Sequence, residues 1–194
     1  MRDLELWGLL KRGDQAAFQQ IYQQYIRLLY QYGYQFCQHP ALVEDAIQDL
    51  FLRIWERRKN LGDTDNPKFY LMLSLKREVL SKLKSGKYES TAVTEEGLKD
   101  FNPQFSVEEE IILQEHQNIN ASKIKKALGS LSKRQREVIY HRFFLGLSYE
   151  ETAEIMALNY QSVRNLQSNA LKQMKSDIGD IGVVLLLLQQ CIKI

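Results

Sequence analysis

Between Tyr160 and Lys175, Gln161, Asn165, Ser168 and Lys172 fall on one side of a helix of 3.6 residues per turn, with Arg164 on its flank. Amides and cations are the side chains that pair with base edges and phosphates, so this stripe suits the major groove of duplex DNA. Any surface helix has a polar face, and the setting of this one is what singles it out. Val163, Leu166, Ala170 and Met174 recur at three and four on the opposite side and turn toward a core. Just upstream, Ser148 with Glu151 three residues on forms a capping box that marks the start of a preceding short helix. Two short helices joined by a tight turn, the second with a polar outer stripe, make a helix-turn-helix, a DNA-reading unit.

Two other faces carry chemistry. The segment after Pro40 presents Asp45, Gln48, Asp49, Leu52 and Glu56 away from its apolar side, an acidic strip broken by one leucine. Periodicity alone leaves it either as a solvated face or as a dock for a basic partner helix. In the next helix Tyr70, Arg77 and Lys84 are spaced by sevens and lie nearly in line, with Lys68, Lys76 and Lys82 nearby. Rings stack on bases and cations hold phosphates, so this edge suits an unstacked nucleic-acid strand; the alternative is a half-buried Tyr70 among solubilising lysines. A Cys/His pair, a glycine-rich phosphate loop and metal-ligand spacing are all missing from the sequence, so we expect no enzyme activity, no metal and no cofactor.

The elements that must position these residues are helical almost throughout, because apolar residues recur at three and four and nowhere alternate at period two. A helix near Leu4 to Lys11 ends at Gly13, and Asp14 caps a long one whose core residues are Phe18, Ile21, Tyr22, Tyr25, Leu28, Leu29 and Tyr32. Pro40 opens a helix to about Lys59 that buries Val43, Ile47, Leu50, Phe51, Ile54 and Trp55. Gly62 to Asn66 is a loop, with Asn66 the N-cap and Pro67 the first residue of a helix to about Lys84. From Gly86 to about Ser106 the periodicity fails and acids dominate, which reads as a solvated linker. Helicity resumes from Glu108 to Leu128, and Ser132 caps a helix containing Val138, Ile139 and Phe143 that Gly146 ends.

The fold class is therefore all-α: two small helical domains joined by a linker, the C-terminal one a helix-turn-helix. The boundaries are 1–86, a linker 87–107, 108–176, and an apolar tail 177–194. Across these 194 residues the net charge is only +2, but it is distributed in blocks. Residues 1–85 carry 13 Lys or Arg against 10 Asp or Glu, residues 86–117 carry 2 against 8, and residues 118–175 carry 10 against 4. Two basic bodies thus flank an acidic connector. Cys37 and Cys191 are too few and too far apart for a disulfide framework, which points to a reducing cytoplasm. No charged-then-apolar leader opens the chain, and the apolar run Ile181 to Leu188 falls short of the ~20 residues of a membrane-crossing helix, so membrane insertion is not expected.

The run VEDAIQDLFLRIWERR, flanked by AAFQQIYQQYIRLLY and NPKFYLMLSLKREVLSKLK, together with LSKRQREVIYHRFFLGLSYEETAEIMALNYQSVRNLQSNALKQMK, resembles the extracytoplasmic-function (ECF) class of bacterial sigma factors. These are two-domain promoter-recognition subunits of RNA polymerase, and the SVRNL segment is similar to the Bacteroidetes type. The resemblance implies that Asp45, Gln48, Asp49 and Leu52 bind the coiled coil of the polymerase's largest subunit. It implies that Asn60, Asn66, Phe69, Tyr70, Lys76, Arg77 and Lys84 engage the minus-ten element, where a non-template base is flipped out at a cost of a few kcal/mol of stacking. Gln161, Ser162, Arg164, Asn165, Ser168 and Lys172 would read the minus-thirty-five duplex, and the acidic linker would thread toward the active-site channel. Core RNA polymerase, promoter DNA and an anti-sigma factor are the implied partners. Two departures stand out: Lys76-Arg77-Glu78 replaces the family's common Arg-Asn pair, and Leu166, Asn169 and Leu171 stand where basic residues are frequent, implying fewer phosphate contacts and a shallower salt dependence. The residues alone also fit a helix-turn-helix regulator acting without polymerase, or a helical interaction protein with no DNA role.

Overall fold

The computed structural model describes residues 2–85 and 126–179, and the expected linker, most of the helix 108–128 and the tail beyond 179 lie outside them. The chain divides into two compact units, Met1–Asp100 and Phe101–Ile194. Among the described residues every regular element is helical.

In the first unit, α1 (Arg2–Lys11) ends in a turn at Gly13, whose φ of +92° is open to glycine. Asp14 then caps α2 (Gln15–Tyr34) by accepting from the Ala17 N–H at 2.9 Å. Two side-chain bonds fix α1 on α2: Tyr25 Oη donates to Asp3 Oδ2 at 2.6 Å and Gln24 Nε2 to Asp3 Oδ1 at 2.9 Å. Burial and then the Asp3 bond push the Tyr25 phenol well above its ordinary range. His39, not an acid or hydroxyl, caps α3 (Pro40–Glu56), its Nδ1 accepting from the Leu42 N–H at 3.2 Å with Pro40 in the first turn.

The third helix stops at Glu56, short of the expected Lys59; a 3₁₀ turn, Arg58–Asn60, follows, in which Arg58 lies over the Trp55 ring at 4.4 Å and donates to the Trp55 carbonyl. Asn66 then caps α4 (Pro67–Lys84) by accepting from Phe69 N–H at 3.1 Å. Leu10, Ile21, Leu29, Tyr32, Leu42, Ile47, Leu71, Met72 and Leu75 are nearly or wholly removed from solvent and form the core among the four helices. Gly33 lets α2 approach α3: a Cβ there would lie 2.8 Å from Val43 Cγ1.

In the second unit, residues 126–130 are helical, and Ser132 with Gln135 closes a reciprocal capping box at the start of α5 (Lys133–Ile139). Arg136 donates to the Leu128 and Leu131 carbonyls at 3.1 and 3.2 Å, satisfying backbone that the preceding helix end leaves open. After α5 the helix widens over Tyr140–Phe144, where the Leu145 N–H reaches back five residues to the Tyr140 carbonyl at 3.1 Å. Gly146, at φ +65°, ends it as expected.

Ser148 and Glu151 form the second capping box, opening α6 (Tyr149–Met156). Ala157 turns the chain in the left-handed region, φ 51° and ψ 47°, and Asn159 caps α7 (Tyr160–Ile178) by accepting from Ser162 N–H at 2.7 Å. Leu128, Leu131, Ile139, Ala170 and Met174 make a core cluster with Phe143, Phe144, Leu171 and Ile178 packed against it.

Candidate nucleic-acid and partner interfaces

On α7 the apolar seam is buried as its spacing predicts: Val163, Ala170 and Met174 are wholly covered and Leu166 is half-buried. Gln161, Arg164, Asn165, Ser168 and Lys172 are exposed together on the outer side, while Ser162 is half-buried with its N–H committed to the Asn159 cap. Gln161 Nε2 donates to Asn165 Oδ1 at 3.0 Å, which lines up two amides one turn apart and leaves donor and acceptor capacity facing outward. The C-terminal end of α7 is tied down, Ser130 Oγ meeting Asp177 Oδ2 at 2.6 Å and Gln173 Nε2 donating to the Ser130 carbonyl at 3.0 Å. The outer stripe is thus carried on a rod braced at its far end.

The strip on α3 is mixed. Asp45 and Gln48 are exposed, and Leu52 is 60% exposed on a helix whose other large apolar side chains are buried or half-buried. Asp49 is engaged across the helix pair, its Oδ2 lying 2.5 Å from Lys82 Nζ on α4, and one turn on Arg53 meets Glu78 at the same distance. Beside the strip, Phe18, Gln19 and Tyr22 of α2 and Gln48, Phe51 and Leu52 of α3 line an open apolar groove of about 480 Å³. Its floor is aromatic, with Phe51 edge-on to Tyr22 at 4.9 Å and to Phe18 at 5.9 Å.

Sequence reasoning placed Phe18 and Tyr22 in the core, and the groove was missed for that reason. At about 100° per residue the seven expected core positions of α2 fill an arc of about 120°, with Tyr22 and Leu28 at its two edges. Tyr22, at one edge, is 36% exposed and Leu28, at the other, is half-buried, while Phe18, inside the arc, is also half-buried and lines the groove.

The residues expected at the minus-ten element lie on the 3₁₀ turn, the loop and α4. Asn60, Arg77 and Lys84 are exposed; Phe69 is half-buried; Asn66 uses its side chain as the α4 cap. Tyr70 is half-buried with its ring 5.1 Å from Trp7 of α1, and Lys76 lies 5.3 Å over the Phe36 ring. Lys11 of α1 reaches the loop and pairs with Asp63, holding that carboxyl below its usual range through the hydrogen bond first and the charge second.

No group of three or more His, Cys, Asp or Glu among the described residues is arranged to hold a metal ion. Burial pushes the Cys37 thiol up, away from the thiolate that a nucleophile needs.

Residues 21–88 match sigma-70 region 2, and residues 121–174 match sigma-70 region 4. The chain belongs to the sigma-70 family, in its ECF class. The two matched regions are those that bear the α2–α4 faces and the helix-turn-helix described above. Among curated ECF RNA polymerase sigma factors, BldN of Streptomyces coelicolor is 25% identical over 180 residues, 92% of this chain and 67% of that one. SigK of a Mycobacterium species (strain JLS) is 22% identical over 171 residues, 86% of this chain and 85% of that one. Among solved structures, that of CnrH in complex with the cytosolic domain of CnrY aligns at a TM-score of 0.55 and 17% identity, covering 92% of this chain and 98% of that one, a likeness of fold. Sigma factors are regulatory subunits rather than catalysts.

Proposed function

We propose that this sigma factor works through three faces: α3 with the neighbouring groove seats core RNA polymerase, the loop and α4 take the melted minus-ten strand, and α7 reads the minus-thirty-five duplex. The overall activity is that of its class, binding core polymerase and directing promoter-specific initiation. The observation that carries the polymerase assignment is Leu52, a large apolar side chain left 60% exposed between the acidic Asp45 and Gln48 side and an aromatic groove. An exposed leucine in an acidic frame fits a basic amphipathic partner helix, with area supplied by the apolar part and orientation by the charge.

Of the strip, Asp45, Gln48 and Leu52 are the direct contacts, and Asp49 must exchange its Lys82 partner to join them. For DNA, Asn60, Phe69, Tyr70, Arg77 and Lys84 offer outward surface, Asn66 fixes the loop's exit as a cap, and Lys76 supplies charge from beside Phe36. Gln161, Arg164, Asn165, Ser168 and Lys172 face the groove of the duplex, and Ser162 supports them from the first turn. The acidic connector 87–107 runs toward the polymerase channel. We also place the chain in the Bacteroidetes type on its Ser162–Leu166 segment, in the cytoplasm with the polymerase, under control by an anti-sigma factor. Among the described residues no helix is long and apolar enough to cross a membrane.

The test is co-purification with core polymerase and run-off transcription by the double variant Asp45→Arg, Leu52→Asp, which spares the Asp49–Lys82 pair. Loss of both activities with an unchanged melting profile supports the reading. Retained transcription dependent on core polymerase removes α3 from the interface, and promoter binding that needs no polymerase at all returns the chain to the class of free-standing regulators.

A further inference from the structure

The first turns of α6 and α7 meet through two tyrosines. Tyr149 begins α6 and Tyr160 begins α7; their ring centres are 5.5 Å apart, with planes inclined by 57°. Behind Tyr149, the Arg142 guanidinium lies 4.0 Å over the ring, donates to the Leu147 carbonyl, and reaches Gln167 Oε1 of α7 at 3.3 Å. In front of Tyr160, the Arg164 guanidinium lies 5.9 Å from the ring centre. The sequence in space is cation, ring, ring, cation, and Gln167 returns the inner cation to the helix that carries the outer one.

The two halves of this stack differ in exposure. Arg142, Tyr149 and Gln167 are half-buried, held between the widened turn after α5 and the body of α7, whereas Tyr160 is 42% exposed and Arg164 is open to solvent. Tyr160, Arg164 and Gln167 are separated by four and three residues, so they share one stripe. That stripe runs along the flank between the buried Val163–Ala170–Met174 seam and the outer polar positions. Tyr160 is too exposed to be explained by packing, and it stands at the N-terminal end of the helix, the part that meets base edges in a helix-turn-helix. A guanidinium within cation–π range of an aromatic ring, as Arg164 is at 5.9 Å, is drawn toward one side of that ring, and limiting the orientations of its planar fork favours a bidentate contact to guanine O6 and N7.

We infer that Tyr160 is a specificity-determining residue that positions Arg164 for a guanine edge in the upstream promoter duplex, with Arg142 and Tyr149 as its rigid backing. The inference rests on α7 being the DNA-reading helix. Tyr160 acts through Arg164, so its removal changes which base is preferred at one position more than it changes overall affinity.

The experiment uses the full chain assembled with core RNA polymerase and a duplex library randomised across the upstream element, followed by selection and sequencing, for wild type, Y160A, Y160F and R164A. R164A is expected to abolish a guanine preference at one position. Y160A is expected to weaken the same preference at the same position by about two- to fivefold, and Y160F, which keeps the ring, to retain it. If R164A leaves the selected sequences unchanged, α7 is not read as proposed and this inference falls with it. If R164A alters them while Y160A does not, the role of Tyr160 alone is overturned. Should Y160A melt at a lower temperature than wild type, Y160L, which fills the space without a π face, decides: a loss matching Y160A upholds the inference, and a wild-type profile refutes it.

Discussion

Replacing Leu52 by alanine separates binding from folding at one position. Burying a leucine side chain completely is worth about 1.5–3 kcal/mol, and Leu52 keeps 60% of its surface in water, so about 1–2 kcal/mol remains to be gained when a partner covers it. The variant forfeits most of that, which corresponds to a dissociation constant for core polymerase about 5- to 30-fold weaker. The part of the side chain already covered in the free protein is worth about 0.6–1.2 kcal/mol on the same scale, so stability should fall by about 1 kcal/mol or less. Leu50, two residues away on the same helix and 3% exposed, is the control: Leu50→Ala opens the core and should cost about 2–5 kcal/mol of stability. A fluorescence titration of labelled sigma factor with core polymerase, paired with urea unfolding of each variant, reads both quantities. An unchanged affinity for Leu52→Ala, or a loss of affinity matched by a loss of stability, refutes the argument that this leucine is kept exposed for a partner.

Ser148→Ala removes one half of a reciprocal cap and should destabilise the helix-turn-helix by about 1 kcal/mol, whereas Ser148→Asp should recover most of it; thermal unfolding followed by amide signals of α6 checks both. Gly33→Ala forces a methyl to within 2.8 Å of Val43 Cγ1 and should cost about 1–3 kcal/mol in urea unfolding, partly restored when Val43→Ala is added, because the two sites are in direct contact. Asp63 titrates below its usual range because of Lys11, so the pairing contributes above the ordinary carboxylate pKa and is lost as pH falls through the depressed folded value. Lys11→Met should return the Asp63 carboxyl to its ordinary range in an NMR titration, and an unmoved midpoint would remove this tie between α1 and the loop.

Much of the architecture is legible in the sequence because it rests on local chemistry. Asp14, Asn66, Ser132 and Ser148 cap helices where side-chain oxygens three residues before an N–H predict it, and the Val163, Ala170 and Met174 seam is buried where its spacing places it. What escapes is set by tertiary neighbours. The end of α3 at Glu56 comes with Arg58 folding back over Trp55, a contact that no propensity announces. Tyr22 is apolar enough for the core, but it stands at the rim of its helix face and lines a groove instead. Among the candidate contact residues, exposure separated ones that the sequence had grouped: Leu52 is open, Asp49 is shared with Lys82, and Tyr70 leans on Trp7. The Arg142–Tyr149–Tyr160–Arg164 row joins residues from three separate segments, and a linear reading singles out Arg164 but not the three that back it.

Helix α7 is held by Val163, Ala170 and Met174, with Leu171 and Ile178 packed beside them, and by two polar ties near its end, leaving Gln161, Asn165, Ser168 and Lys172 with no part in the core. Exchanging those four positions therefore costs the fold almost nothing. On the proposed reading of α7, mutation can rewrite the target sequence while the scaffold stays as stable as before, so duplicated copies of such a gene can diverge toward new operons without first passing through an unfolded ancestor.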